Sequence, residues 1–299
     1  MFEIYINQKF EAAHFLPGYK GKCANLHGHT WRFELTIRSE FITDGMVMDF
    51  IEVKEALNEV LPDHTLLNDI IPNPTAENLS AYLYKQMKER ITGLVKVVVW
   101  ESENLGAAFL KVNEIFYSVQ GEGKNSGIPM VFVRLAGCNL RCDFCDTKYA
   151  FEAGKEMMVG EILSERGKYP SKWVCITGGE PFIQPLDELA RQLKADGSLI
   201  QIETNGTIFQ PVTCDWLVVS PKKERRPVES MLERANEIKI VVNLKEALDF
   251  TEEYEAWGTC HSIQPENNHE EATKLCLDFV AEHPQWRLSM QLHKLINIR

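Results

Sequence analysis

The 299-residue sequence has no apolar run approaching membrane-spanning length, which excludes a helical span within it. It has no surplus of positive charge: the formal net charge is −11. That argues against non-specific nucleic-acid binding and against an anionic membrane surface, while leaving room for a small anionic substrate. No internal repeat or low-complexity tract stands out, and no Gly/Ser/Pro-rich linker divides the chain. The opening MFEIYINQKF alternates like a strand and lacks the apolar centre of a secretion signal, so the expected compartment is the cytoplasm. Eight cysteines in a reducing compartment point to thiols that hold metal rather than pair as disulfides.

Two organisations follow one another. Residues 1–110 read as strand, strand, helix, helix, strand, strand, an antiparallel α+β pattern. FEIYINQKFEAAHF and TWRFELTIRSEF have strand composition, and VKEALNEVL places Val53, Leu57 and Val60 on one helical face. NPTAENLSAYLYKQMKER reads as a helix opened by Pro74 and Thr75. From residue 111 to 299, short apolar strands (MVFVRL, KWVCIT, SLIQIET, DWLVVS, NEIKIVV, RLSMQL) alternate with helices. That rhythm implies an α/β domain with a parallel sheet, open or closed into a barrel.

In LAGCNLRCDFCDT, Cys138, Cys142 and Cys145 follow a strand with the spacing C-x3-C-x2-C. Three thiolates on a four-iron cluster leave one iron open to an outside ligand. The alternative is a structural zinc, closed by Cys175, Cys214, Cys260 or Cys276. In the first part, His27 and His29 lie two apart and share a strand face, with His14 ending an earlier strand. Three imidazoles without a fourth protein ligand suit a catalytic zinc; solvated or paired histidines are the plainer reading of the same pattern.

The cysteine spacing, with Phe144 before the last thiol, resembles the radical S-adenosylmethionine (SAM) family. There SAM chelates the open iron of a [4Fe-4S] cluster, and one electron cleaves it to a 5′-deoxyadenosyl radical. The resemblance implies that Gly178, Gly179 and Glu180 of TGGEP receive the SAM amino group. It implies further SAM contacts at strand ends: Glu203, Ser220, Lys222, Gln264 and Asn267. The stretch FYSVQGEGKNSGIPMVFVRLAGCNLRCDFCDT and the terminal QLHKLINIR resemble 7-carboxy-7-deazaguanine synthases. These contract the ring of 6-carboxy-5,6,7,8-tetrahydropterin with loss of ammonia. By that resemblance Gln120, Glu122, Arg134, Thr177, His293 and the carboxylate of Arg299 hold the substrate, and Thr147 contacts Mg2+. The residue types suit those tasks: Glu122 can accept two N–H bonds from a pterin edge, and Arg134 can grip a carboxylate with two parallel bonds.

FEAAHFLPGYKGKCANLHGHTWRFELTI, LPDHTLLND, NPTAENL and VVVWES resemble 6-carboxytetrahydropterin synthase, of the 6-pyruvoyltetrahydropterin synthase family. That family has the T-fold and assembles rings of subunits with sites between them. The resemblance implies Zn2+ on His14, His27 and His29, Cys23 as base, Asp63 and His64 as its partners, and Glu101 as anchor of the pterin ring. Adjacent residues do not easily form a relay within one chain, which makes the Asp63–His64 pair the weakest part of this assignment.

The expected molecule is therefore a T-fold α+β domain (1–110) followed by an α/β domain built as an incomplete (β/α)6-type radical SAM barrel (111–299). The expected activity is bifunctional. 7,8-Dihydroneopterin triphosphate becomes the carboxypterin, which then becomes 7-carboxy-7-deazaguanine on the route to queuosine-type nucleosides. Expected partners are small pterins, an external flavodoxin- or ferredoxin-type electron donor and further copies of the chain, with no nucleic acid and no membrane. Two rivals are a radical SAM activase and a first domain that keeps zinc only as an oligomerisation scaffold.

Overall fold

Alternation of apolar and polar side chains sets both sheets. The computed structural model describes residues 2–39, 41–103, 106–107, 109–151, 154–243, 248 and 251–298. They form two units, residues 1–110 and 111–299.

In the first unit, β1 (Phe2–His14) and β2 (His27–Ser39) pair antiparallel along their whole length. Phe10 and Ala12 of β1 and Trp31, Phe33 and Leu35 of β2 are buried on one face. Helices α1 (Phe50–Val60) and α2 (Ala76–Lys88) supply the matching layer through Val53, Leu57, Leu79 and Leu83. Each such side chain contributes roughly 1.5–3 kcal/mol by leaving water. Thr75 caps α2, its hydroxyl accepting from the N–H of Asn78 at 3.3 Å, as the sequence predicts. The short β3 (Thr65–Leu66) runs parallel to β1, and β4 (Leu94–Trp100) and β5 (Gly106–Ala107) complete the order β3-β1-β2-β4-β5. This is the antiparallel α+β architecture of a T-fold.

The second unit has the order β14-β13-β12-β11-β10-β9-β7-β6-β8. β6 (Phe109–Val119) lies antiparallel to β7 (Pro129–Leu135), and β8 (Lys155–Met158) lies beyond β6. From β7 onward all neighbours are parallel: β9 (Trp173–Gly178), β10 (Leu199–Thr204), β11 (Trp216–Val219), β12 (Glu237–Val242), β13 (Cys260–Pro265) and β14 (Trp286–Leu288). Helices α3 (Val159–Arg166), α4 (Asp187–Ala195), α5 (Glu229–Leu232), α6 (Glu270–Glu282) and α7 (Leu292–Leu295) are interspersed. Among the described residues the two edge strands are not paired with one another, so the barrel is incomplete.

Alternate positions divide the sheet into an apolar and a polar face. Ile200, Ile202, Ile238, Ile240 and Ile263 are fully buried on one side. The intervening positions are Gln201, Glu203, Glu237, Lys239, Ser262 and Gln264, nearly all buried as well. A buried polar face is stable only when its members satisfy one another, and here they do. The strands read from the sequence do not include β3, β8 or most of β6, and mark β13 only by its end at Gln264.

Candidate functional site

The register of β1 on β2 sets His14 opposite His27 and Ala12 opposite His29, so three imidazoles share the face of Phe10 and Trp31. His14 Nδ1 donates to the carbonyl of Pro74 at 2.7 Å, and His27 Nδ1 to that of Asn25 at 2.8 Å. Each ring so held turns an Nε2 inward, and the two nitrogens are 3.1 Å apart. Glu101 Oε1 lies 3.3 Å from His14 Nε2 and 3.2 Å from His29 Nε2. The Nε2 of His29 is buried without a hydrogen-bond partner. Donors at about 2.0–2.1 Å around a tetrahedral Zn2+ are separated by about 3.3 Å, so these atoms fit that ion. Burial makes His29 harder to protonate than an ordinary imidazole. At His14 burial pulls the same way, but the bond with Glu101 prevails and favours the proton. The bond from His14 in turn holds the Glu101 carboxyl below its usual range.

Glu101, which sequence reasoning gives to a pterin ring, here faces the imidazoles and makes a four-donor group with them, all within 4.8 Å. His64 has a left-handed φ of 55°, and its Nδ1 reaches Asp63 at 2.9 Å. Asp63 also accepts the N–H of Glu11 at 2.8 Å. The adjacent pair therefore does form. His64 lines one concavity with Gly28 and His29. Cys23, half-buried in the single turn Lys22–Ala24, lines neither that concavity nor the four-donor group. The backbone carbonyl of Cys23 accepts from Leu16 N at 2.8 Å, two residues beyond His14.

In the second unit, the loop after β7 carries Cys138, Cys142 and Cys145 into the wall of one cavity with Phe144, Gly178, Gly179, Ser220, Lys222, Gln264 and Asn267. No three of the described thiols bring their sulfurs within 4.8 Å of one another. Thiolates on a single Zn2+ stand about 3.8 Å apart, whereas an iron–sulfur cube spreads its ligands. Cys175, Cys214, Cys260 and Cys276 do not line this cavity, so none closes a zinc site there. Burial pushes the Cys138 thiol up and the Cys142 thiol to about 11. Thiols so disposed need a cation to become ligands, and a cluster supplies it.

The TGGEP turn shows why glycine is required. A Cβ on Gly179 would stand 1.9 Å from the carbonyl oxygen of Gly137, and one on Gly178 2.1 Å from that of Leu135. What the glycines admit is the backbone of the cysteine loop, with Glu180 N donating to Gly137 O at 2.8 Å. The Glu180 carboxylate is fully buried and accepts from Thr204 Oγ1, Asn205 N and Phe182 N at 2.7, 2.7 and 3.0 Å. It ties β9 to β10 rather than lining the cavity. Lys222 donates to Ser220 Oγ at 2.6 Å and lies over the Phe144 ring at 5.6 Å.

A second cavity, sharing Glu122, Thr177, Gly178 and Glu203 with the first, is lined also by Gln120, Arg134, Thr147 and His293. Arg134 Nε is held by Glu114 at 2.8 Å, and its guanidinium stacks near Phe116 and Tyr149. That fixes the fork while leaving its terminal nitrogens to face a ligand carboxylate. Thr147 donates to Asp146 Oδ1 at 2.8 Å, an oxygen pair of the hard type that Mg2+ takes. His293 packs on Gly121, where a Cβ would meet Nδ1 at 2.5 Å. Arg299 lies outside the described residues.

Lys239, a lysine in the apolar run of β12 that the sequence patterns do not single out, lines the first cavity. Its Nζ donates to Glu122 Oε2 at 2.6 Å and to Glu203 Oε2 at 3.0 Å. Burial alone would raise Glu122 and lower Lys239; their mutual attraction reverses both shifts, so both stay charged. Glu203 also accepts from Gln120 and Gln201, and Glu122 from Gln291 at 3.0 Å. Glu114, Asp146, Glu237, Gln291 and Lys294 were likewise unread. For Lys239, Glu114 and Glu237 the available signal is a charged residue in an otherwise apolar strand; Asp146, Gln291 and Lys294 lie in a loop and at α7, where no such pattern marks them.

Residues 3–111 match the family model for 6-pyruvoyl tetrahydropterin synthase, and residues 132–244 that for the radical SAM superfamily. Over 190 residues the chain is 45% identical to the 7-carboxy-7-deazaguanine synthase of Bacteroides thetaiotaomicron, covering 63% of this chain and 98% of that one. The chain belongs to the 7-carboxy-7-deazaguanine synthase family. The synthase of Flavobacterium psychrophilum is 36% identical over 194 residues, covering 63% and 92% of the two chains. The crystal structure of QueE from Escherichia coli superposes with a TM-score of 0.57 at 33% identity, covering 62% of this chain and 95% of that one. The 7-carboxy-7-deazaguanine synthase portion is thus the second unit, and a 6-pyruvoyl tetrahydropterin synthase domain precedes it in the sequence.

Proposed function

We propose that the chain catalyses two consecutive steps: 7,8-dihydroneopterin triphosphate to 6-carboxy-5,6,7,8-tetrahydropterin, then the carboxypterin to 7-carboxy-7-deazaguanine and ammonia. One observation carries the second step. A cavity walled by three thiols shares Glu122, Glu203 and Thr177 with a cavity walled by Arg134, Gln120 and His293. A hydrogen-abstracting centre and a carboxypterin site would then lie side by side.

In this reading Cys138, Cys142 and Cys145 hold a [4Fe-4S] cluster, which with SAM supplies the radical that abstracts hydrogen. Phe144, Ser220, Lys222, Gln264 and Asn267 line the SAM side, with backbone offered by Gly178 and Gly179. Glu122 takes the amino–amide edge of the pterin, Arg134 takes the carboxylate, Thr177 and His293 border the ring, and Thr147 reaches Mg2+. Glu203 bridges the two ligands through Gln120 and Lys239.

In the first unit His14, His27 and His29 hold Zn2+, which acidifies a substrate C–H when bound. Glu101, which faces the same imidazoles, would stand beside the ion and anchor the pterin ring. Cys23 is the base, assisted by Asp63 and His64.

Anaerobic reconstitution with iron and sulfide, followed by mass spectrometry after feeding dihydroneopterin triphosphate, SAM and reductant, tests both steps. Release of acetaldehyde and 7-carboxy-7-deazaguanine is expected. A chain that turns over carboxypterin but makes no acetaldehyde would leave the first unit as a zinc scaffold; one that consumes no carboxypterin would refute the second step.

A further inference from the structure

The asparagine between Cys138 and Leu140 has no part in the roles assigned above. Asn139 is half-buried, and its side chain crosses from the cysteine loop to the turn that follows β10. Its Nδ2 donates to Thr207 Oγ1 at 2.7 Å, and its Oδ1 accepts from Asn205 Nδ2 at 3.0 Å. These partners lie 68 and 66 residues away in sequence. Both are buried, and they fix each other: Asn205 Oδ1 accepts from Thr207 N at 2.9 Å and from Thr207 Oγ1 at 2.6 Å.

One backbone group sets the direction of every bond in this triangle. The Thr207 N–H can only donate, so the Asn205 atom facing it is the oxygen. Asn205 Nδ2 is then left to face Asn139 Oδ1. The Thr207 hydroxyl spends its proton on Asn205 and accepts from Asn139 Nδ2. Asn205 N donates in turn to the buried Glu180 carboxylate at 2.7 Å. The cysteine loop, the TGGEP turn and the turn after β10 therefore share one polar network, whose members support one another.

What this latch holds is a peptide beside a sulfur. The N–H of Leu140 donates to Cys138 Sγ at 3.4 Å. That N–H belongs to the peptide that joins Asn139 to Leu140, so pinning the Asn139 side chain restricts its rotation. Arg141 Nη1 braces the same loop, donating to the carbonyls of Cys138 and Leu140 at 2.7 and 2.9 Å. An N–H dipole aimed at a ligand sulfur stabilises added negative charge, and such bonds are one lever on the potential of an iron–sulfur group.

We propose that Asn139 is a positioning residue for electron uptake: latched to Asn205 and Thr207, it keeps the Leu140 N–H on Cys138 Sγ and so raises the reduction potential of the group that the three thiols hold. This rests on the functional reading above, in which that group is a [4Fe-4S] cluster. The step concerned is uptake of one electron from an external one-electron reductant, with no bond made or broken in the protein.

The test is a redox titration of the anaerobically reconstituted full chain, without SAM, followed by EPR of the reduced cluster. Thr207→Val removes the acceptor for Asn139 Nδ2 and leaves all three thiols and the Leu140 peptide in place. At the wild-type midpoint its reduced-to-oxidised ratio should fall about tenfold, equivalent to about 59 mV for a one-electron couple. Asn139→Ala should lower the ratio at least as far, and Thr207→Ser, which keeps the hydroxyl, should restore it. If Thr207→Val with a full complement of iron keeps the wild-type ratio, the latch does not set the potential. A Thr207→Val chain that takes up no cluster, where Thr207→Ser takes up a full one, also overturns the proposal, because the latch then serves assembly rather than tuning. If wild type itself forms no [4Fe-4S] cluster, the functional reading falls and this assignment with it.

Discussion

The backbone N–H of Lys124 points at both carboxylate oxygens of Glu237, 3.0 and 3.1 Å away across 113 residues of sequence. Glu237 also accepts from Ser262 Oγ at 2.5 Å and Trp216 Nε1 at 3.0 Å. One buried acid thus clamps the turn that carries Gln120 and Glu122. Glu237→Ala would strand several donors at about 1–3 kcal/mol each. The expected result is a lower Tm and a KM for carboxypterin raised at least tenfold, measured by anaerobic turnover. Unchanged KM with lowered Tm would make Glu237 a purely structural anchor.

Arg134 is expected to act as a planar fork. Arg134→Lys keeps the charge and loses the second parallel bond, a difference of about 1–2 kcal/mol. KM for carboxypterin should rise roughly fivefold to thirtyfold, with kcat changed less. A variant with wild-type KM would remove Arg134 from the substrate carboxylate.

His27→Ala should reduce bound zinc from one ion per chain to a small fraction and lower the first activity by about two orders of magnitude or more. The second activity, supplied with carboxypterin, should be retained. Protons compete with metal for the imidazoles, and Glu101 favours the protonated form of His14. Zinc affinity should therefore fall as pH drops, beginning above the usual imidazole range, and Glu101→Gln should shift the onset to lower pH. Metal analysis after dialysis across pH 5–8 reads both effects.

Asp146 is held below the usual carboxylate range: burial would raise it, and the bond from Lys294 overcomes burial. A depressed carboxyl contributes stability that is present above its unfolded value, roughly 4, and lost as pH falls through the folded value. The pair is partly exposed, so the contribution at neutral pH is under about 1 kcal/mol. The Tm gap between wild type and Lys294→Met should close as pH falls below about 4. A gap that persists at acid pH would mean that packing, not charge, sets it.

Much of this was legible in the residues themselves. The cysteine spacing, the histidine pair and the strand ends that line the cavities could be read because each lies within a short local pattern. The register that sets His14 opposite His27 could be anticipated once two strands were recognised. Lys239 and Glu237 could not: each is a single polar residue in an apolar strand, and only the sheet shows which face it occupies. Nor could the turn of Glu101 toward the imidazoles, since a side chain's choice between a ring and a metal is not encoded by spacing. Only the end of β13 is legible, at Gln264, because HSIQP is short and half polar, its serine and glutamine belonging to the buried polar face.

The cysteine loop is stitched at both ends. Gly137 N donates to Ala150 O at 2.8 Å, Glu180 N to Gly137 O at 2.8 Å, and Gly179 N to Leu135 O at 3.2 Å. A strap fastened this way has little slack when charge arrives on whatever it holds. On the proposed reading, reduction of the group that the three thiols hold should therefore proceed with small reorganisation of the protein around it.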